Sequence, residues 1–208
     1  MSPIDRPPTS PWAFRRLVDD DLSMLHGWLN EPGVVRVWEG EDVSWPAVIA
    51  DYGSAAKRAT LALEYPDFEF DEEEAEFDSD HVEVYVALRD GEPFGWIQCY
   101  AISDFIDHDE VKAWLQLGFD EAGAGIDYLV GNPELRGAGL GSSMIRHFVD
   151  EIVFGQHPDW TQVGASPVHA NPASWGALRS SGHSLLGSFE DPEHGQCDLY
   201  ARRRETSS

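Results

Sequence analysis

The sequence predicts an α+β domain, and two stretches carry the prediction. Residues 82–101 alternate side chains at a period of two around Asp90-Gly91, the pattern of a β-hairpin, while residues 125–152 read as a buried strand, a glycine-rich turn and a helix. A third observation bounds the class. Of 208 residues, 42% are hydrophobic, with eight Trp, ten Phe and six Tyr, too much apolar and aromatic material for a disordered acidic chain. A chain of this length can bury about 70% of its unfolded surface in one domain, so residues 1–208 are expected to form one unit with its core over 12–203.

The charge balance narrows the partners. There are 38 Asp plus Glu against 14 Lys plus Arg, a net charge of -24. Phosphate backbones are bound by releasing counterions onto Lys and Arg, so nucleic acid is not an expected partner; the one dense basic run, Arg202 to Arg204, reads as a solvated tail. Two cysteines, Cys99 and Cys197, lie far apart without metal-ligand spacing, which favours a reducing, cytoplasmic setting over a disulfide framework. No segment approaches the roughly 20 apolar residues of a membrane span, and the N-terminus lacks a charged start followed by an apolar run. No membrane partner is expected, and a monomer or homodimer is. The eight His are scattered without a ligand pair at helical or hairpin spacing, so no metal is expected.

Taken in order, the proline-rich lead-in to Pro11 gives way to a strand over 12–18. Asp19 to Asp21 then suit the start of a helix, because their charge meets the positive end of its dipole. Leu22, Leu25, Trp28 and Leu29 repeat at helical spacing, and Asn30-Glu31-Pro32-Gly33 stops the helix. A second helix is expected from Ser44, a plausible cap, to Lys57. From Pro66 to Asp80 nine of fifteen residues are acidic, an insertion expected to be a solvated surface loop or partly disordered, and able to steer a cationic substrate. The return strand of the hairpin, 93–101, is apolar on both faces and is expected to be central. Residues 103–123 read as a polar connection containing Trp114.

The chemistry concentrates in the next segment. Gly125 to Val130 forms a strand, Gly131 to Leu135 breaks it, and Arg136-Gly137-Ala138-Gly139-Leu140-Gly141 feeds a helix with Met144, Ile145, Phe148, Val149 and Ile152 at helical spacing. Such a unit makes an anion site, because N–H groups point outward at a helix start and glycines let a phosphate approach. The spacing excludes the common nucleotide loops, since neither a Gly-Lys-Ser/Thr ending nor a Gly-x-Gly-x-x-Gly fingerprint is present.

The loop at Arg136 to Gly141 resembles the pyrophosphate loop of the GNAT superfamily of acyl-CoA-dependent N-acyltransferases, and further segments look like the aminoglycoside 6′-N-acetyltransferases. These are Arg16-Leu17 with Asp21-Leu22, Leu25 and Trp28-Leu29; Pro32 with Val34-Val35 and Trp38; Gly91-Glu92-Pro93 with Gly95, Gln98 and Tyr100; Gly125-Ile126-Asp127; Asn132 with Leu135; and Asn171 followed by Gly182. The resemblance implies a GNAT fold, a mixed central sheet splayed between its fourth and fifth strands with flanking helices. It implies acetyl-CoA as co-substrate, its pyrophosphate on the N–H groups of Arg136, Gly137, Ala138, Gly139, Leu140, Gly141 and Ser142. The backbone at Tyr128, Leu129 and Val130 would pair with pantetheine, and Asn171 would complete that side. It also implies direct acetyl transfer to an amine, without a covalent enzyme intermediate.

An amine must lose its proton before attacking a thioester, so a nearby carboxylate is the natural general base. Asp127, in the family's Gly-Ile-Asp position, is the candidate. Trp38, Glu39, Gln98, Tyr100 and Trp114, with Asp127, match or adjoin positions lining the family's acceptor pocket. Asp109, Glu110, Asp120 and Glu121 would suit a small cationic amine. The chain departs from the pattern twice. Leu178 stands where related enzymes often carry a Tyr acid, leaving Tyr128 or a water, and Lys112 stands where they carry an acidic residue before the Trp. The expected acceptor is the 6′-amine of an aminoglycoside. The alternatives are another small amine, a siderophore precursor or a protein N-terminus, or a non-catalytic acyl-CoA-binding or interaction protein.

Overall fold

The computed structural model describes residues 10–37 and 42–205. Among them, seven strands form one sheet in the order β1-β2-β3-β4-β5-β7-β6. The strands are β1 (Trp12–Arg16), β2 (Val82–Arg89), β3 (Glu92–Ala101), β4 (Ala124–Val130), β5 (Gln162–Ala165), β6 (Ser184–Asp191) and β7 (Gly195–Arg203). The longer helices are α1 (Leu22–Leu29), α2 (Trp45–Tyr52), α3 (Glu72–His81), α4 (Asp109–Gln116), α5 (Leu140–Phe148) and α6 (Pro172–Ser180). None is long and apolar enough to cross a membrane.

The hairpin forms where the alternation placed it, with Asp90 and Gly91 in the left-handed region at φ 52° and 88°. β3 is central, paired with β2 on one side and β4 on the other. Its two faces serve different layers. Trp96 faces α1 and α2 and packs with Leu22, Leu25, Val48, Ile49 and Leu129. Ile97 and Cys99 face α5, whose Met144, Ile145 and Phe148 are fully buried against Ile126. Phe94 leaves the Trp96 face and stands edge-on to Trp12 in the α5 layer.

The one parallel contact positions the site. β4 and β5 pair only at Ala124–Val163 and Gly125–Gly164, whereas β4 pairs with β3 along its whole length to Val130. The strands therefore part after Gly125, and the β4 edge from Ile126 to Val130 faces a cleft rather than a neighbour. That is the splay expected of the fold.

Several local expectations are corrected. The helix from Ser44 stops at Tyr52, where the Gly53 N–H bonds the Ile49 carbonyl at 3.0 Å. A new turn starts at Ser54, whose hydroxyl accepts from the Lys57 N–H. The acidic insertion is not a loop throughout. Asp71 accepts hydrogen bonds from the Glu73 and Glu74 N–H groups, and α3 runs from there directly into β2, with Ala75 buried. Phe68 and Phe70 pack against the α1–α2 core. The polar connection 103–123 contains α4, anchored by buried Val111 and Trp114. The basic run is no tail: Arg202 and Arg203 end β7. Arg204 donates to the carbonyls of Phe154, His157 and Trp160 at 2.6–2.8 Å.

Candidate active site

The strand, turn and helix at 124–148 set the scaffold. Asn132 accepts from the Glu134 N–H at 2.9 Å, fixing the turn that leaves β4. Gly137 and Gly139 follow in the left-handed region, at φ 82° and 75°, where a Cβ would cost about 1–2 kcal/mol. Gly139 opens α5 without a capping side chain. The first-turn N–H groups of a helix have no partner within it, so those of Leu140, Gly141 and Ser142 are left to a ligand. Gly141 lies beside β4, where a Cβ would make ordinary contact with Val130 at 3.4 Å. These uncapped donors at the positive end of a helix fit a pyrophosphate.

Arg136 works differently from expectation. Its N–H bonds the Pro133 carbonyl at 3.2 Å, so outward-facing donors begin at Gly137. Its guanidinium turns back, donating to the Val130 carbonyl at 2.9 Å and pairing with Glu31. Arg136 thereby ties the loop to the turn after α1. Asn171, across the cleft, caps α6 through a bond from the Ser174 N–H at 3.2 Å.

Asp127 sits on the open stretch of β4, half-buried, directly opposite Gln98 on β3. The Gln98 amide donates to Asp127 Oδ2 at 2.9 Å. Burial pushes the Asp127 carboxyl up, and the Gln98 bond only partly offsets that shift. Tyr100, two residues along on the same face, lies across Gly125, so close that a Cβ on this glycine would overlap its ring. Burial, then the charges of Asp127 and Glu110, raise the Tyr100 hydroxyl well above its ordinary value.

Glu110 on α4 is a second carboxylate at this site. Burial pushes it up to about 7, against a hydrogen bond from Ser166, with Asp127 and Asp191 adding to the rise and His194 opposing it. Ser166 follows β5 where the strands part. Its hydroxyl donates to Glu110 and accepts from the Trp114 indole at 3.2 Å. Trp114 is 1% exposed, its ring tilted against Phe119, and its indole N–H touches the site through Ser166. The other acidic candidates are more remote from this group: Asp109 pairs with Lys112 on the surface, Asp120 bonds Thr161 at 2.8 Å, and Glu121 is exposed. Trp38 and Glu39 lie outside the described residues.

The position where related enzymes often carry a Tyr acid is filled by a core residue. Leu178 is fully buried. Tyr128 points to the other face of β4, where its hydroxyl bonds the Ser174 side chain at 2.7 Å and burial raises it strongly. A cavity of about 280 Å³ adjoins Gln98 on the Asp127 face, walled by Arg16, Tyr52, Arg58 and, from the acidic helix α3, Asp78 and Ser79. A larger one, about 570 Å³, lies between Arg146, Ser180 and Arg202 and touches none of these residues. Sequence reasoning missed Ser166 and Glu31 altogether. Glu31 carried a weak signal as the residue before a Pro-Gly helix start; Ser166 carried none.

The acetyltransferase (GNAT) domain family matches residues 54–190. Aminoglycoside N(6′)-acetyltransferase type 1 of Klebsiella pneumoniae is 27% identical over 181 residues, covering 87% of this chain and 78% of that protein. The solved structure of AAC(6′)-Ib with paromomycin and acetyl-CoA shares a TM-score of 0.70 and 26% identity over 93% of both chains. AAC(6′)-Ib with coenzyme A and kanamycin gives a TM-score of 0.69 and 25% identity over 93% of this chain and 95% of that one.

Proposed function

This chain belongs to the GNAT acetyltransferase family and uses acetyl-CoA to acetylate an amine, and we propose that the amine is the 6′-amine of an aminoglycoside, with Asp127 as the general base. The observation that carries the reading is the paired carboxylate arrangement at the open edge of β4, Asp127 held by Gln98 and Glu110 held by Ser166. A polycationic acceptor needs both a base and a charge partner at one site. The relatives that bind kanamycin and paromomycin support the same acceptor class.

When bound, acetyl-CoA supplies the acetyl thioester. The N–H groups of Gly137 to Ser142, the edge at Tyr128 to Val130, and Asn171 form its binding side. Asp127 accepts the ammonium proton at Oδ1, while Gln98 fixes Oδ2 and so the direction of the lone pairs. Burial raises its basicity, which brings the carboxylate nearer to the amine it must deprotonate. Glu110 holds a second ammonium group of the acceptor, and Ser166 keeps that carboxyl ionised more readily than burial alone would allow. Tyr100 shields the pair from water. The acidic helix α3 contributes Asp78 to the neighbouring cavity and draws cations toward it.

A second reading keeps the enzyme and changes the acceptor to a diamine or another small amine. It is favoured by Lys112, which is turned to Asp109 on the surface and adds no carboxylate to the site. Thiol release measured against aminoglycosides, diamines and short peptides decides between the two. Saturable turnover of kanamycin-type compounds supports the aminoglycoside reading, and turnover confined to diamines or peptides removes it.

A further inference from the structure

Away from the cleft, Glu83, Cys99 and His157 bring a carboxylate oxygen, a thiol sulfur and an imidazole nitrogen within 4.8 Å of one another. Glu83 and Cys99 are directly paired across β2 and β3. His157 follows the short helix Phe154–Gln156. Cys99 pairs with Ile126, one residue before Asp127, so the cluster faces the α5 layer, on the opposite side of the sheet from the carboxylates of the active site.

Each member is held in place by contacts that leave one donor atom over. Arg16 and the Tyr85 hydroxyl bond Glu83 Oε2 at 2.7 and 2.6 Å, which frees Oε1. Arg204 grips the His157 carbonyl at 2.6 Å, and the Trp160 ring stacks on the imidazole at 3.7 Å. His157 Nε2 then lies 3.2 Å from Glu83 Oε1, yet this buried nitrogen makes no hydrogen bond. An imidazole nitrogen and a carboxylate oxygen this close repel unless a proton or a cation lies between them. The third corner is Cys99 Sγ, fully buried and without a disulfide partner. The side chains of His157 and Glu83 remain 24% and 29% exposed, which provides an entry path from solvent.

We propose that Glu83 Oε1, Cys99 Sγ and His157 Nε2 form a site for a zinc-class divalent cation, with a water molecule as fourth ligand. One sulfur, one nitrogen and one oxygen donor suit zinc, which takes such mixed sets in tetrahedral geometry. As the sulfur–metal bond forms, the thiol proton leaves to solvent, so the cation overcomes the burial that otherwise keeps Cys99 protonated. The thiolate and the carboxylate balance the ion's two charges, and Arg16 stays on Oε2. Glu83 and Cys99 meet through hairpin register and His157 comes from a distant segment, so sequence spacing gave no sign of the set. Its role is to pin the segment after α5 to the β2–β3 hairpin.

The test uses the full chain, stripped with a chelator and titrated with Co²⁺ and then Zn²⁺. One equivalent of Co²⁺ should bind with a thiolate-to-cobalt charge-transfer band in the near ultraviolet that Zn²⁺ displaces, and Zn²⁺ should raise Tm. Cys99→Ser should abolish the band, Cys197→Ser should keep it, and His157→Gln should weaken Co²⁺ binding about 10-fold or more. Acetyltransfer by each variant reports that it has folded. Should Cys99→Ser fail to fold, the wild-type band and its loss of affinity in His157→Gln decide. Absence of the band from the wild type, or its persistence in folded Cys99→Ser, overturns the site and leaves Glu83 and His157 a plain ion pair.

Discussion

The two sides of the cleft are built from different materials. The side beginning at Gly137 offers backbone: two left-handed glycines and an uncapped helix start, with Arg136 turned away onto Glu31 and Val130. The side around Asp127 offers charged side chains, two carboxylates pushed upward by burial and each restrained by one neutral donor, Gln98 or Ser166. Fixed backbone dipoles bind an anion at any pH near neutrality. Glu110, pushed up to about 7 by burial, changes protonation there. Binding on the first side should be insensitive to pH, and the second side should carry the pH dependence of the enzyme.

The sharpest break of this contrast is Asp127→Asn. We expect turnover to fall by about 10² or more with acetyl-CoA affinity unchanged, read by thiol release and by calorimetric titration; an unchanged rate removes Asp127 as the base. Next in size is Gly139→Val, which places a branched side chain at φ 75°. Acetyl-CoA binding should weaken about 10-fold, with the acceptor KM held, and equal losses for both substrates would show that the two sides are not separable.

Glu110 links pH to both binding and stability. Its carboxyl moves from an ordinary 4.5 to about 7 on folding, so between those values the folded state holds more proton than the unfolded one. This contribution to stability is therefore full below about pH 4.5 and is lost as pH rises through 7. Glu110→Gln should raise Tm at pH 8 and leave it nearly unchanged at pH 5, while raising the acceptor KM about 3- to 10-fold. In the wild type the acceptor KM should fall as pH rises through 7. A Tm gain of equal size at both pH values would remove the titration from the account. The smallest effect belongs to α3. Glu72, Glu73 and Glu74 changed together to Gln should lower kcat/KM for a polycationic acceptor about 2- to 5-fold at low salt. The difference should vanish at high ionic strength, and a salt-independent loss would point to direct contact.

The same contrast governs how much could be read from the sequence. A backbone site writes itself locally, in Gly137, Gly139 and Gly141 between a strand and an amphipathic helix, and the hairpin at Asp90-Gly91 is legible for the same reason. The acceptor side is assembled from long-range pairs. Gln98 meets Asp127 through strand register, and Glu110 meets Ser166 across 56 residues, a distance over which composition and period carry no information. The acidic stretch misled through its charge. Like charges argue for a solvated loop, but Asp71 caps the helix N-terminus and Phe68 and Phe70 anchor its approach. Arg202 to Arg204 misled in the same way, since three cations at the end of a chain look solvated until β7 and the carbonyls after α5 are in place.

The two rungs that join β4 to β5 also divide the molecule mechanically. On one side of that seam lie four strands, on the other three, and among the described residues no strand pairing crosses between them beyond Gly125. Alternate amides of the β4 edge after Gly125 have no partner in β5. A ligand lying along that edge would supply the missing rungs, so occupancy of the cleft would be felt as stiffness by the whole sheet.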